Sequence, residues 1–279
     1  MHGFNSLTQR PQTLRPNAII RVVERDSPLV LSVPHGGTWI PQLALRHVER
    51  SRLLLLDTDL FTQKVYGGVA ELGSSVQSAV SPYVVNLNRG YTKPENPIIP
   101  SQLLSGQATL LKPYSSTERR RLLAQFYHPY QAALHRLLGR AVRRFGFALL
   151  LDGHSMDRHG MVHTKDPGEQ RADIVLGDNK GTAAPDGVIR AVMAQLQTSG
   201  YVVARNTPYS GGHITRVFGR PNKRIFALQI ELVKELYMRP VATEFELTPS
   251  QLKATAGLSK LRRDLTRALR AGLRAAAVA

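Results

Sequence analysis

Short apolar runs that stop at turn residues alternate along this chain with amphipathic stretches, and this alternation limits the folds it can adopt. LVLSVPHGG, FALLLDGHSMD and RADIVLGDNKG are typical of buried strands, because each apolar run stops at a glycine, a proline or an aspartate. SSTERRRLLAQFYHPYQAALHRLLGRAVRRFG carries apolar residues at three- and four-residue spacing, which predicts a helix disturbed at Pro129. Alternating strands and helices predict an α/β fold with a mixed, mainly parallel central sheet flanked by helices.

The remaining segments complete this expected order of elements. DLFTQKVYGGVAELG is expected to form one short helix that ends at Gly73, and SSVQSAVSPYVVNLNRG one or two strands. RIFALQIELVKELYM is expected to be a strand that runs into a helix. With 279 residues and no internal repeat, we predict a single domain over 1–279, with an irregular N-terminal segment 1–27 and a basic helical C-terminal segment 248–279.

Composition excludes some kinds of chemistry. The chain has no cysteine, which rules out disulfides, thiolate metal sites and cysteine nucleophiles. Its formal net charge of +17 comes largely from lysines and arginines between the leucines of predicted helices, without interleaved aromatics. We therefore interpret this charge first as a solvated basic surface, second as attraction of small anionic substrates, and third as nucleic-acid binding. No run has signal-peptide or membrane-span character, so we expect a cytoplasmic protein.

Two histidines follow buried strands and suggest a metal site. His35 and His154 both fall where an apolar run ends, and the carboxyl ends of parallel strands meet at one edge of the sheet. Neighbouring Gly36, Gly37 and Gly153 would let backbone approach a ligand closely. Each histidine alone could be a hydrogen-bonded structural residue. Together they match a catalytic zinc, which takes three protein ligands and keeps an open position.

The segment LLDTDLF offers a carboxylate as the third ligand. Asp57 and Asp59 are two residues apart at the start of a predicted helix, where an aspartate is also a common helix cap. In FALQIELVKELYM, Gln229 and Glu231 share one face of the predicted strand. A glutamate inside an apolar strand is costly unless compensated, which makes Glu231 the best candidate for a general base; a structural ion pair is the alternative.

Arginines that follow strands and glycines could bind an anionic substrate. VNLNRG places Asn88 and Arg89 before a glycine, and SGGHITR places His213 and Arg216 after a glycine pair. Arginine binds a carboxylate through two parallel hydrogen bonds. In so basic a chain most arginines only solvate the surface, so flanking sequence alone singles these two out.

Taken in order, seven motifs resemble the N-formylglutamate amidohydrolase family. They are SVPHGGTWIP, DTDLF, YVVNLNRG, DGHSMD, ADIVLGDNKG, SGGHITRVFGRP and ALQIELVKELYM, and they span roughly residues 29–238. The family is similar in fold to zinc carboxypeptidases and to the aspartoacylase group. The resemblance implies one Zn²⁺ per chain, or another divalent ion, and cleavage of the amide of a small anionic N-acyl amino acid. For N-formylglutamate the products are formate and glutamate, in histidine breakdown.

The resemblance also implies roles for individual residues. His35, Asp59 and His154 become the metal ligands, with Asp57 as the rival third ligand, and Glu231 becomes the general base. The implied substrate-binding residues are Asn88, Arg89, Arg216 and His213. Asn86 stands where the family often has an acidic residue, and His213 where it usually has an aromatic, which affects the substrate more than the chemistry. The alternatives are a zinc carboxypeptidase, an acylase of different acyl preference, and a non-catalytic basic module.

Overall fold

A seven-stranded sheet forms the centre of the computed structural model, which describes residues 19–48, 58–91, 97–102, 108–238 and 257–279. The strands are β1 (Ile20–Val23), β2 (Leu29–Val33), β3 (Ser74–Ser78), β4 (Ala148–Met156), β5 (Ile174–Gly177), β6 (Val203–Arg205) and β7 (Ile225–Val233). The order across the sheet is β1-β3-β2-β4-β7-β5-β6. β1 is antiparallel to β3 and β5 to β7, and the other neighbours are parallel, which confirms the predicted mixed, mainly parallel sheet.

Helices cover both faces of this sheet. They are α1 (Thr62–Val65), α2 (Gly67–Leu72), α3 (Ser116–Leu122), α4 (His128–Phe145), α5 (Asp186–Thr198), α6 (His213–Phe218) and α7 (Gly257–Ala277). One apolar core lies between the sheet and α1, α2, α5 and α7, and the other between the sheet and α4 and α6. Within the described ranges, no helix is both long enough and apolar enough to cross a membrane.

The two central strands change from apolar to polar along one face. Successive residues of a strand point to opposite faces, so Asp152 and His154 share a face of β4, and Gln229 and Glu231 share a face of β7. The parallel register pairs Asp152 with Gln229 and His154 with Glu231. Ser32 of β2 pairs with Asp152 on the other side. The sheet therefore ends, at its carboxyl edge, in a buried polar layer on the α4 side.

Several expected elements differ in the structure. The helix predicted to end at Gly73 is two short helices, α1 and α2, which meet at Tyr66. The strand that carries His154 continues to Met156, because β4 stays hydrogen-bonded to β7 along its whole length. His154 is therefore inside a strand and not after one. The expected helix after β7 is a single 3₁₀ turn, Lys234–Leu236.

The chain ends also differ from the expectation. The segment 1–27 was expected to be irregular. Its described part contains β1, which pairs with β3 at the edge of the sheet. The described part of the C-terminal segment 248–279 is one continuous helix, α7, followed by two residues. The long helix passes through a π-helical turn, Leu123–Tyr127, directly before Pro129. Proline lacks an N–H and crowds the preceding turn, which accounts for the widening there.

The glycines beside the two histidines pack closely against neighbouring segments, and the approach of a ligand to their backbone stays a prediction. A Cβ on Gly37 would lie 2.3 Å from the backbone carbon of Ala79, and a Cβ on Gly36 would lie 2.5 Å from Thr62 Oγ1. A Cβ on Gly153 would lie 2.7 Å from the Tyr66 ring. The loop after β2 is thus pressed between β3 and α1, and this close packing fixes the backbone of His35.

Replacing Gly37 with alanine is expected to lower the free energy of unfolding by about 1–3 kcal/mol, because the new methyl group must displace backbone and not a flexible side chain. Urea denaturation of the purified variant measures this difference. Gly187→Ala is the matched control: nothing lies within 4 Å of its Cβ position in α5, so alanine there is expected to be neutral or stabilising. Equal stability of the two variants would contradict the packing role of Gly37.

Candidate active site

His35, Asp59 and His154 come together at the carboxyl edge of the sheet. Each offers one ligand atom, and these atoms lie within 4.8 Å of one another. Asp59 Oδ2 is 2.9 Å from His154 Nδ1 and 3.6 Å from His35 Nδ1. Asp59 and His154 are buried, and His35 is half-buried. The three residues predicted as ligands therefore form one cluster, with the Nδ1 atoms of both histidines directed at the same carboxylate oxygen.

The other ring nitrogen of each histidine is held by a second polar residue. His154 Nε2 lies 3.1 Å from Asp152 Oδ2, and Asp152 is fully buried. His35 Nε2 lies 2.8 Å from Asn86 Oδ1, which also accepts a hydrogen bond from the backbone N–H of Asn88. Asn86 favours a proton on Nε2 of His35 and so leaves the lone pair of its Nδ1 free; His154 has a carboxylate at each ring nitrogen, and a metal would take the place of its Nδ1 proton. Such outer partners are what orient the histidines of metal sites.

The carboxylate of Asp59 is fixed in the same way. Ser155 Oγ donates to Asp59 Oδ1 at 3.1 Å, so Oδ2 is the oxygen left for the histidines. The backbone carbonyl of Asp59 accepts from Thr62 Oγ1 at 2.6 Å at the start of α1. Between them Phe61 has a φ of 62°, in the left-handed region that non-glycine residues rarely occupy. The chain therefore accepts local backbone strain where it turns Asp59 towards the sheet.

The donor set and its charges fit a divalent cation. Bonds of about 2.1 Å in a tetrahedral site separate neighbouring donors by about 3.4 Å, a value between the two separations measured at Asp59. Burial, and then the charge of His154, lower the pKa of His35 to about 4, so His35 is the neutral imidazole that a metal requires. Burial opposes charge on His154, but Asp152 and Asp59 outweigh it and raise its pKa well above the ordinary value. The carboxylates thus favour a positive charge at this point.

Glu231 lies directly beside His154 on the neighbouring strand. It is 8% exposed, and Gln229 Nε2 donates to its Oε1 at 2.7 Å. Gln229 Oε1 in turn accepts from the backbone N–H of Gly212 at 2.6 Å. Burial raises the pKa of Glu231 to about 8, against the lowering effect of His154. A carboxyl group with a pKa near neutrality, next to a candidate metal cluster, suits general acid–base chemistry.

Arg89 and Arg216 provide positive charge on the same side. Burial, and then the charge of Arg216, lower the pKa of Arg89. Arg89 also contributes to the lowered pKa of His35 and interacts with Glu231, so its guanidinium faces the cluster. Among the residues that the structure describes, neither guanidinium has an ion pair with a carboxylate. Two neighbouring cations without an acidic partner favour an anionic ligand.

Asn88 and His213, the other two predicted substrate-binding residues, are engaged within the protein. Asn88 is 2% exposed; its Nδ2 donates to Asp152 Oδ2 at 2.9 Å, and its Oδ1 accepts from the backbone N–H of Ile214 at 2.7 Å. His213 Nε2 lies 3.3 Å from the hydroxyl of Tyr127. Direct contact of either residue with substrate stays a prediction. Asp57, the rival third ligand, lies outside the described residues.

Sequence reasoning missed three residues that organise the site. Asp152 and Ser155 flank His154 in the run LDGHSM, and a buried aspartate before a candidate ligand was the available signal. Tyr66 Oη donates to the carbonyl oxygens of His154 and Ile230, at 3.1 and 3.0 Å, and ties β4 to β7 behind the site. Nothing in the local sequence around Tyr66 indicates that contact.

Comparison with known proteins agrees with this geometry. The sequence model of the N-formylglutamate amidohydrolase family matches residues 27–238. The chain is 35% identical over 224 residues to the N-formylglutamate deformylase of Pseudomonas aeruginosa, an alignment that covers 76% of this chain and 82% of that protein. The enzyme of the same name from Pseudomonas putida is 34% identical over 223 residues, with the same coverage, 76% and 82%.

Solved structures extend the similarity to the fold. The crystal structure of N-formylglutamate amidohydrolase from Ralstonia eutropha JMP134 superimposes with a TM-score of 0.77 at 27% identity, and covers 93% of this chain and 97% of that one. A gene product of Agrobacterium tumefaciens shares the fold at a TM-score of 0.67 and 19% identity, over 90% and 95% of the two chains. The family match covers most of the chain and includes every residue of the metal cluster; this chain belongs to the N-formylglutamate amidohydrolase family.

Proposed function

We propose that this protein hydrolyses N-formyl-L-glutamate to formate and L-glutamate with one Zn²⁺ per chain. Water adds to the formyl carbon, the bond from that carbon to nitrogen breaks, and the amine leaves with a proton. The observation that carries the proposal is the position of Glu231 beside the cluster of His35, Asp59 and His154, in a chain of this family. A cytoplasmic location stays a prediction.

The metal would be held by His35 and His154 through Nδ1 and by Asp59 through Oδ2. Nitrogen and carboxylate donors suit zinc, and two histidines with one carboxylate leave a position open for a reactant. When bound, zinc supplies a Lewis acid that polarises the formyl carbonyl and makes water more acidic. The hydrogen bonds that His154 and His35 donate to Asp152 and Asn86, and the one that Asp59 accepts from Ser155, would keep the ligand atoms in place before any ion arrives.

Glu231 would move the proton between the two halves of the reaction. Its Oε1 is occupied by the amide of Gln229, which leaves Oε2 to accept a proton from the attacking water. The same group then donates this proton to the departing amine, so that Glu231 returns to the ionised form, which a bound cation beside it would favour against the effect of burial. A carboxyl with a raised pKa is suited to both steps, because proton transfer is most effective when donor and acceptor are closely matched.

Arg89 and Arg216 would bind the carboxylates of the substrate. A guanidinium pairs with a carboxylate in a planar, two-point arrangement, which fixes the direction of the scissile amide as well as its distance. Asn88 would act mainly by holding the loop of Arg89 against β4 through Asp152. His213 would line the pocket beside the two arginines, since both of them contribute to its lowered pKa after burial.

Formate release from a matched set of substrates tests the proposal. We expect the zinc-loaded enzyme to favour N-formyl-L-glutamate over N-formyl-L-glutamine by about a hundredfold or more in kcat/KM, because a neutral amide leaves the charge of one guanidinium unpaired. Chelation of the metal is expected to abolish the reaction, and added Zn²⁺ to restore it. Absence of formate release by the zinc-loaded enzyme would contradict the proposal.

The acyl group is tested in the same experiment. N-Acetyl-L-glutamate and N-succinyl-L-glutamate share the two carboxylates and differ only in what the pocket must accept at the carbonyl. Preferred cleavage of either would retain the metal chemistry and reassign the enzyme as an acylase of different preference. Carboxypeptidase activity is tested with an N-blocked dipeptide that ends in glutamate, for which we expect no turnover.

A further inference from the structure

Tyr127 connects the loop that carries Arg89 with helix α6, which carries Arg216. It lies in the π-helical turn of the long helix, is 4% exposed, and donates from its hydroxyl to the backbone carbonyl of Arg89 at 2.8 Å. The same hydroxyl lies 3.3 Å from Nε2 of His213, three residues before Arg216. Insertions of π-helical geometry are frequent at functional sites. This one places its last residue, Tyr127, between the Arg89 loop and α6.

The chemistry of the three groups fixes the direction of these hydrogen bonds. A carbonyl oxygen only accepts, so the single hydroxyl proton of Tyr127 goes to Arg89. The hydroxyl oxygen must therefore accept the second bond, and His213 must carry a proton on Nε2. Burial raises the pKa of Tyr127 to about 12, so the hydroxyl stays protonated at neutral pH. The donor of His213 is thus committed to Tyr127 and not to a substrate carboxylate.

The Arg89 loop and the start of α6 also pack closely where Tyr127 joins them. A Cβ on Gly90 would lie 2.6 Å from His213 Nδ1, and a Cβ on Gly212 would lie 2.3 Å from Asn88 Nδ2. This contact holds two guanidinium groups of like charge near each other without a carboxylate between them. Repulsion between Arg89 and Arg216 acts to separate the Arg89 loop from α6 until an anion binds. The hydrogen bonds of the uncharged Tyr127 hydroxyl oppose this repulsion.

We infer that Tyr127 is a positioning residue for substrate binding: its hydroxyl holds the Arg89 loop and the start of α6, with His213 and Arg216, together so that both arginines can take one dicarboxylate ligand. The inference rests on the proposed function for its choice of ligand. Within the part of the chain that the structure describes, the Tyr127 hydroxyl bonds Arg89 and His213 and not the candidate metal cluster or Glu231, so we place its contribution in substrate affinity and not in the bond-breaking step.

The test compares Tyr127→Phe with the wild-type holoenzyme. We expect KM for N-formyl-L-glutamate to rise about five- to tenfold, the range for one lost hydrogen-bond network, with kcat within about twofold. Binding of L-glutamate, measured by calorimetry without turnover, is expected to weaken by the same factor. Tyr201→Phe is the matched control: its hydroxyl bonds Asp264 at 3.0 Å, away from the site, and its KM is expected to stay at the wild-type value.

Each other outcome decides the inference. An unchanged KM and glutamate affinity in Tyr127→Phe, or a fall in kcat alone, would overturn it, as would failure of the wild type to bind L-glutamate. If the wild type binds glutamate but releases no formate, the proposed function fails, and the calorimetric comparison still tests Tyr127.

The Tyr127→Phe variant is expected to fold, because Gln131 also holds the Arg89 loop on the long helix: it donates to the carbonyl of Leu87 at 2.7 Å. If Tyr127→Phe nevertheless fails to fold, His213→Leu must show the same loss of affinity.

Discussion

Replacing Glu231 with glutamine is expected to lower kcat by about a thousandfold or more while the protein keeps its metal. Glutamine has nearly the same shape, and its side-chain carbonyl can still accept the hydrogen bond from Gln229 Nε2. It cannot take a proton from water or return one to the amine. Formate release gives kcat, and elemental analysis of the same sample gives the metal content per chain.

Glu235→Gln is the matched control for this variant. It makes the same chemical change four residues later, on an exposed side chain that pairs with Arg158 at 3.1 Å. We expect near wild-type kcat from it. A Glu231→Gln enzyme with more than a tenth of wild-type turnover would rule out Glu231 as the general base.

Thermal stability of the chelated proteins separates lost chemistry from lost folding. The pKa of Glu231 rises from an ordinary value of 4.5 to about 8 on burial, so the unfolded chain releases this proton first. The wild type therefore loses stability as the pH rises from about 4.5 to about 8, whereas the Glu231→Gln variant has no such loss from this position. We therefore expect the difference in thermal unfolding midpoint, Glu231→Gln minus wild type, to increase between pH 5 and pH 8. A decrease of this difference would contradict the burial argument.

Replacing Asp59 with alanine is expected to remove the metal and, with it, essentially all formate release. Loss of an outer partner of a metal ligand weakens binding by about 10–100-fold, and loss of a ligand itself must cost more. Asp59 is also the carboxylate that both Nδ1 atoms face, so its removal leaves His154 with less negative charge on that side. Titration of the metal-free variant with Zn²⁺ measures the affinity directly.

Asp186→Ala is the control for that loss. Asp186 is an exposed carboxylate at the start of α5 that pairs with Arg190 and Arg205, far along the chain from the cluster. We expect it to keep one metal per chain and wild-type turnover. Retention of stoichiometric zinc by Asp59→Ala would exclude Asp59 as a ligand and bring Asp57 forward as the third donor.

Much of the fold follows from local patterns. Each buried run that was interpreted as a strand is one, because a short apolar run rich in branched residues and bounded by turn residues is typical of a strand covered on both faces. The direction of β5, which is antiparallel to β7, could not be predicted. Strand direction depends on the path of the connecting loops, and apolar periodicity contains no information about that path. The break at Tyr66 was missed for a related reason, since its hydroxyl is drawn to two strand carbonyls distant in sequence.

The candidate site divides in the same way. His35 and His154 could be placed together because β2 and β4 are neighbours and their carboxyl ends share an edge. Asp152 was missed because it lies inside the strand, where an aspartate looks like the end of the apolar run and not like a partner of His154. Tyr127 is 38 residues from Arg89 and 86 from His213, and only the packing of the long helix brings it to them.

The metal cluster and Glu231 depend on hydrogen-bonded strands, whereas Arg89 and Arg216 belong to segments at the rim. The register that pairs His154 with Glu231 cannot shift by one residue without turning the glutamate to the opposite face of the sheet. The rim segments are under no such restriction. Substitutions at a few rim positions would therefore change which anion binds without disturbing the register that places Glu231 beside His154.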